Sequence, residues 1–251
     1  VNYIDTAYPY HNYESEEVVG QWVATKPRDS FYLVTKSPTW MCKDIADFDR
    51  ILEEQLTKLQ TSYVDFYLLH ALSRERWEHI KEMNLLPHLK SVLDSGKVRR
   101  IGFSFHDDYE VFEEILNAYD WDFCQIQFNY MDTEIQAGIR GYELAKSRNI
   151  PMTIMEPVKG GMLANVPDEI QAEFRRVHPD WSDASWALRW VGGHDNVQTV
   201  LSGMSTMEQV VDNVKTFSEI EPLNAEEQAT IEQARQLFQA RIQVPCTGCR
   251  Y

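Results

Sequence analysis

Residues 63–70 read Tyr-Val-Asp-Phe-Tyr-Leu-Leu-His, an apolar run with almost no alternation that ends on an imidazole. A strand with one face in water alternates apolar and polar residues. A run apolar on both faces reads instead as a strand of a buried parallel sheet. Before it, Phe48, Ile51, Leu52, Leu56 and Leu59 recur at helical spacing. After it, Leu89, Val92 and Leu93 mark another helix stopped by Gly96, and Val98 to Ser104 reads as the next strand. The unit is strand, helix, strand, and it repeats in both directions.

Upstream, the strands Val1 to Thr6 and Phe31 to Lys36 flank a helical stripe of Val18, Val19, Trp22 and Val23. Downstream, stripes at 111–119, 135–145 and 184–191 precede strands at Phe123 to Phe128, Ile150 to Met155 and Val197 to Leu201. Val210, Val211 and Val214 close the series. A last helix carries Ile231, Ala234, Leu237 and Phe238 on one face, with Asn224 and Glu227 spaced as a capping box. Seven strands alternating with helices, with no linker or charge block between them, predict an α/β fold. The expected form is a (β/α)8 TIM barrel over residues 1–243 whose first strand lies upstream of Val1. An open doubly wound sheet, which needs no eighth strand, is the alternative. The chain starts without Met inside a strand and stops two residues past a C-x-x-C, so both ends are expected to be cut.

Composition narrows the function classes. The 251 residues carry 24 Lys+Arg against 39 Asp+Glu, a formal charge of −15, and this surface repels phosphate on average. Nucleic acid is therefore not an expected partner. No apolar stretch approaches the roughly 18 residues needed to cross a bilayer, and the opening Val1-Asn2-Tyr3-Ile4 has neither the basic start nor the long apolar segment of a signal peptide. Four cysteines are too few for a disulfide scaffold at this length, which fits a reducing, cytoplasmic setting.

In a β/α barrel the chemistry lies at the C-terminal ends of strands. The first visible strand ends in Asp5, with Tyr10 five residues on; the second ends in Lys36; the third ends in His70. An acid, a phenol, an amine and an imidazole on one rim suggest proton donation to a carbonyl oxygen. A tyrosine is too weak an acid at neutral pH, but a cation within a few ångströms lowers its pKa by about one to three units, each worth about 1.4 kcal/mol. Lys36 supplies the cation, Asp5 keeps that lysine charged, and His70 orients the carbonyl. Taken singly, each residue also has a reading as a cap, core packing or a solvated rim group.

The residues that carry a resemblance now stand together. D-T-A-x-x-Y from Asp5 to Tyr10, V-T-K ending at Lys36 and D-x-x-x-L-H from Asp65 to His70 resemble the signature series of the aldo/keto reductases. So do residues 96–104, Gln125-Ile126-Gln127-Phe128-Asn129, and Ser202-Gly203-Met204-Ser205 with Asp212-Asn213. The likeness covers essentially the whole chain. It implies that Tyr10 is the general acid/base, that Lys36 and Asp5 tune it, and that His70 orients a carbonyl or alcohol substrate.

The resemblance also implies NADP(H) or NAD(H), bound without a Gly-rich Rossmann turn, and no G-x-G-x-x-G occurs here. Ser104 and Gln125 match positions that hold the nicotinamide carboxamide, and Met155 stands where a tyrosine commonly stacks on the ring. Phe105 replaces an Asn found in many relatives. Gly203 to Thr206 leads into the last barrel helix, where Ser205 and Glu208 have capping-box spacing and a phosphate would be favoured. Many NADP(H)-preferring relatives place Lys or Arg where this chain has Gly203 and Gln209, so the choice between NADH and NADPH stays open. Asp212 and Asn213 match the adenine contacts. Cys246 and Cys249, in residues 244–251, resemble the opening of a C-terminal [4Fe-4S] extension found in one branch of the family, where a longer chain would complete the cluster.

Two other functions compete: a binding subunit that senses the cofactor without useful turnover, and a metal-dependent barrel hydrolase. His70 and His106 have no obvious third metal partner. Trp40, just past Lys36, is placed either on the substrate pocket or in packing at the barrel mouth. His79, His88, His178 and His194 are expected to titrate in solvent.

Overall fold

The computed structural model describes residues 1–241. The strands are β1 (Tyr3–Asp5), β2 (Tyr32–Ser37), β3 (Val64–Leu72), β4 (Val98–Phe105), β5 (Phe123–Gln127), β6 (Met152–Met155) and β7 (Val197–Val200). They follow one another across the sheet in chain order. Pairing from β1 through β5 is parallel, with Asp5 opposite Val34, Lys36 opposite Leu68 and Ser104 opposite Gln125. The helices are α1 (Ser15–Val23), α2 (Ile45–Lys58), α3 (Arg74–Glu82), α4 (Leu86–Asp94), α5 (Tyr109–Asn117), α6 (Gly138–Ser147), α7 (Asp168–Val177), α8 (Asp183–Gly192), α9 (Met207–Ser218) and α10 (Ala225–Arg241). Each expected strand and helical stripe is present. The α/β alternation is thus as read from the sequence, and α3 and α7 are additions to it.

The chain forms two compact units. Among the described residues, one comprises 1–127 and 134–153, and the other 128–133 and 154–241. In the first, Val34, Leu68 and Phe123 share a buried cluster with Tyr3 and Phe66 packed against it. Side chains two apart on a strand share a face, so Lys36 lies on the same face of β2 as Val34, while Thr35 turns toward the helices. At the starts of the strands, Asp65 is buried and accepts from the Leu33 N–H at 2.9 Å, from Arg28 at 2.7 Å and from Arg99 at 3.0 Å. One carboxylate so ties β2, β3 and β4 together. Gly20 lets α1 close on α2, since a Cβ there would stand 2.0 Å from the Lys58 carbonyl oxygen.

In the second unit, Phe174 and Trp186 stack at 4.7 Å within a core that includes Leu163, Ile170, Ile231, Ala234 and Phe238. The capping box expected at α10 is formed: Asn224 Oδ1 accepts from the Glu227 N–H at 3.1 Å, and Glu227 Oε2 accepts from the Asn224 N–H at 2.7 Å. No helix among the described residues is long and apolar enough to cross a membrane.

Candidate active site

The first unit brings Asp5, Lys36 and Tyr10 together. Lys36 has no exposure, and its Nζ donates to Asp5 Oδ1 at 2.5 Å, to the Thr6 carbonyl at 3.0 Å and to Tyr10 Oη at 3.3 Å. A buried ammonium is tolerable only with such partners. Burial pushes the Asp5 carboxyl above its ordinary range, and the Lys36 charge pulls against that shift. Tyr10 follows β1 in a tight turn whose next three residues, His11, Asn12 and Tyr13, all have left-handed φ. That turn is strained for side-chain-bearing residues and leaves the phenol at the rim, 37 % exposed.

His70 completes the group. Its ring meets that of Tyr10 edge-on at 5.6 Å and that of Trp40 at 5.4 Å. Trp40 thus packs against His70, a contact that both of its readings allow. Burial, with the charges of Lys36, Arg76 and His106, holds the imidazole down at about 3, so it is neutral at physiological pH. Nδ1 is buried with no hydrogen-bond partner among the described residues. A neutral imidazole carries one N–H donor, which suits a hydrogen bond to substrate from a ring nitrogen other than the buried Nδ1.

Ser104, near the end of β4, and Gln125, in the middle of β5, are buried register partners and project side by side. Ser104 Oγ accepts from the Ala71 N–H at 2.7 Å and keeps its own hydrogen as a donor. A hydroxyl beside a side-chain amide presents donors and acceptors together, which fits a carboxamide.

The remaining expected cofactor positions lie in the second unit. The Met155 carbonyl accepts from the Phe128 N–H at 3.2 Å. Around Gly203 the space a Cβ would fill is open. The cap of α9 corrects the expectation of Ser205 with Glu208. Thr206 is the N-cap, with Gln209 closing the box one residue later in both places. Gln209 Oε1 accepts from the N–H groups of Ser205 at 2.7 Å and Thr206 at 3.1 Å, so a phosphate at this helix start would replace a side-chain oxygen. Asp212 accepts from Ser182 Oγ at 2.6 Å, and Asn213 donates to Ser202 Oγ at 2.9 Å.

Cys246 and Cys249, and the cluster assigned to them, lie outside the described residues, among which no group of three metal-holding side chains occurs. The histidines expected in solvent are engaged: His79 with the Cys42 carbonyl, His88 with Asp49 and His178 with Glu227, each at 2.7–2.8 Å, and His194 with the Trp190 carbonyl. Two features of the site were not read from sequence. Arg76, on α3, lies with its guanidinium over the Trp40 ring at 4.0 Å. Behind Lys36, the buried Glu16 accepts from Thr35 at 2.5 Å and Gln55 at 2.6 Å, and Gln55 also donates to the Lys36 carbonyl at 3.0 Å.

The model of the aldo/keto reductase family matches residues 1–236. An NADH-specific methylglyoxal reductase of Escherichia coli is 23% identical over 87% of this chain and 79% of its own length. A second E. coli methylglyoxal reductase, YeaE, is 26% identical over 89% of this chain and 76% of its own length. Among solved structures, an aldo-keto reductase from Klebsiella pneumoniae in complex with NADPH is 26% identical, covers 93% of this chain and 79% of that chain, and has a TM-score of 0.72. The holo form of an aldo-keto reductase from Bacillus halodurans reaches a TM-score of 0.77 at 24% identity, covering 93% of this chain and 82% of that one. With the family model running from the first strand through most of the last helix, over the strand ends that gather acid, amine, phenol and imidazole, this chain belongs to the aldo/keto reductase family.

Proposed function

We propose that the protein is an NAD(P)H-dependent oxidoreductase that reduces an aldehyde or ketone, or runs the reverse oxidation of an alcohol, with Tyr10 as general acid/base. The frame we assign to it is the (β/α)8 barrel, supported by the strand order and by the likeness to solved aldo-keto reductases. One observation carries the proposal: a fully buried ammonium held between Asp5 and the Tyr10 hydroxyl. Burying that charge is costly, and Asp5, the Thr6 carbonyl and the phenol are the partners that offset the cost.

When bound, a reduced nicotinamide would supply a hydride to the carbonyl carbon. Tyr10 Oη donates its proton to the carbonyl oxygen, and Lys36 stabilises the negative charge left on the phenolic oxygen. His70, neutral, donates a hydrogen bond to the same oxygen and aims it at Tyr10. Asp5 holds Lys36 in place. By the family resemblance, Ser104 and Gln125 would hold the carboxamide and Met155 would meet the ring. Gly203, Ser205, Gln209, Asp212 and Asn213 would, by the same resemblance, receive the phosphates and the adenosine. Relatives name both NADH and NADPH, and no Lys or Arg stands at the two positions that many NADP(H)-preferring relatives use, so the proposal covers both. The substrate is a small carbonyl compound or its alcohol. Two buried free thiols, Cys42 and Cys124, support a cytoplasmic setting.

Replacing Tyr10 by Phe removes one oxygen and leaves the ring. Turnover of simple aldehydes should fall at least about a hundredfold while nicotinamide fluorescence still reports binding. A Tyr10→Phe protein that turns over like the parent would end the assignment.

A further inference from the structure

His70 is followed by a residue that the backbone strains. Ala71 has φ +53°, and the pairing of β3 with β4 shifts register between Leu69 and Leu72. A left-handed alanine inside a strand is unfavourable unless its surroundings impose it. Here both polar groups of the residue are clamped by side chains. Its N–H donates to Ser104 Oγ at 2.7 Å, and its carbonyl accepts from Arg76 Nη1 at 2.8 Å. Arg76 comes from the first turn of α3, where its own N–H donates to the N-cap Ser73 at 3.4 Å. The guanidinium lies over the Trp40 ring at 4.0 Å, and that ring packs against His70 at 5.4 Å. Arg76 therefore reaches His70 by two routes, through the peptide that follows it and through the indole beside it.

We propose that Arg76 is a positioning residue for the reduction, holding the left-handed Ala71 peptide and Trp40 so that the His70 ring points at the carbonyl oxygen. The inference rests on the assignment of His70 as the group that orients substrate. The register shift turns the chain at the point where His70 must face the rim. With Nδ1 lacking a partner, no hydrogen bond of that nitrogen fixes the ring. Its orientation is left to the peptide on one side and to the Trp40 and Tyr10 rings on the other. The cation also acts in the same sense as burial on His70, keeping the imidazole neutral. Arg74, two residues earlier, points instead to Glu114 at the surface and has neither contact.

The test is a double-mutant cycle on the full chain, using single-turnover reduction of benzaldehyde at saturating NADH or NADPH so that slow variants remain measurable. Arg76→Met should slow the step at least about tenfold in the parent, leave the cofactor Kd within about twofold, and slow it less than about twofold in a His70→Gln background. Equal factors in both backgrounds would mean that Arg76 supports the fold generally, and no effect in either would mean that it supports nothing at the site; each overturns the proposal. Arg76→Lys keeps a cation and a donor and guards against misfolding of the Met variant. It should recover most of the rate, and a Lys variant as slow as the Met variant overturns the proposal too. His70→Gln alone turning over like the parent would defeat the role of His70 itself, a failure visible without any change at Arg76.

Discussion

His70 carries a pH signature that belongs to one side chain. Its ordinary value is 6.5 and its value in the fold is about 3, burial being the largest cause and the Lys36 charge the next. Between those limits the unfolded chain binds a proton that the native state refuses, so the contribution of His70 to stability is full above about pH 6.5 and falls away as pH drops toward 3. Asp5 and Glu16 are both raised by burial and act oppositely, since the native state binds protons there that the unfolded chain has released. A single pH curve would mix these effects, and a difference between two proteins separates them. The unfolding free energy of the parent minus that of His70→Gln, from urea titrations, should become less favourable to the parent by about 2 kcal/mol or more between pH 7.5 and pH 4. A flat difference would show that the imidazole titrates in the fold as it does in water.

At the scale of elements, α1 is joined to the strands that present the acid and the amine. Ser15 and Thr6 share a hydrogen bond at 2.8 Å, and Glu16 takes Thr35 and Gln55 together on one oxygen. Gln55 comes from α2, and its amide oxygen accepts from Tyr67 Oη at 2.7 Å, so helices and strands meet in one buried polar network. Removing the acceptor leaves the Thr35 hydroxyl and the Gln55 amide with one partner fewer in a dry layer. Glu16→Ala should cost about 2–4 kcal/mol in urea unfolding and Glu16→Gln clearly less, because the amide oxygen can still accept from both. Equal midpoints for Ala and Gln would deny the network this role. The same scale shows what sequence can and cannot carry. Strands were legible because each is a short apolar run, and the site followed because Asp5, Lys36 and His70 stand where those runs end. Helix α3 was not, because Arg-Glu-Arg-Trp-Glu-His-Ile-Lys-Glu buries only Trp77 and Ile80, too thin a stripe to stand out, and Arg76 was lost with it. The cap of α9 failed differently: Ser205 with Glu208 and Thr206 with Gln209 have the same spacing, and only the backbone distinguishes two frames one residue apart. Glu16 could not be singled out beside Glu17, since which of two adjacent acids turns inward depends on the angle at which α1 meets the sheet.

At the scale of the whole molecule the excess of acid dominates. A formal charge of −15 near pH 7 opposes the approach of one copy of the chain to another, and the sequence pI of about 4.9 means that this repulsion vanishes within the range that ordinary buffers reach. Burial of Asp5 and Glu16 favours the native state on acidification while His70 disfavours it, so these groups partly cancel and do not set the acid behaviour alone. Charge does. Once heated past unfolding, the chain exposes strands such as residues 63–70, apolar on both faces and suited to pairing with another copy. At pH 7.5 the acid excess opposes that contact, whereas near pH 5 nothing does. Heating dilute protein at the two pH values while recording light scattering and circular dichroism should show unfolding at both, but steep scattering only near pH 5. Added salt should narrow the contrast by screening the charge at pH 7.5. Scattering that rises equally at both pH values in low salt would show that the exposed strands associate regardless of repulsion, and that the acidic surface is not what keeps this chain dispersed.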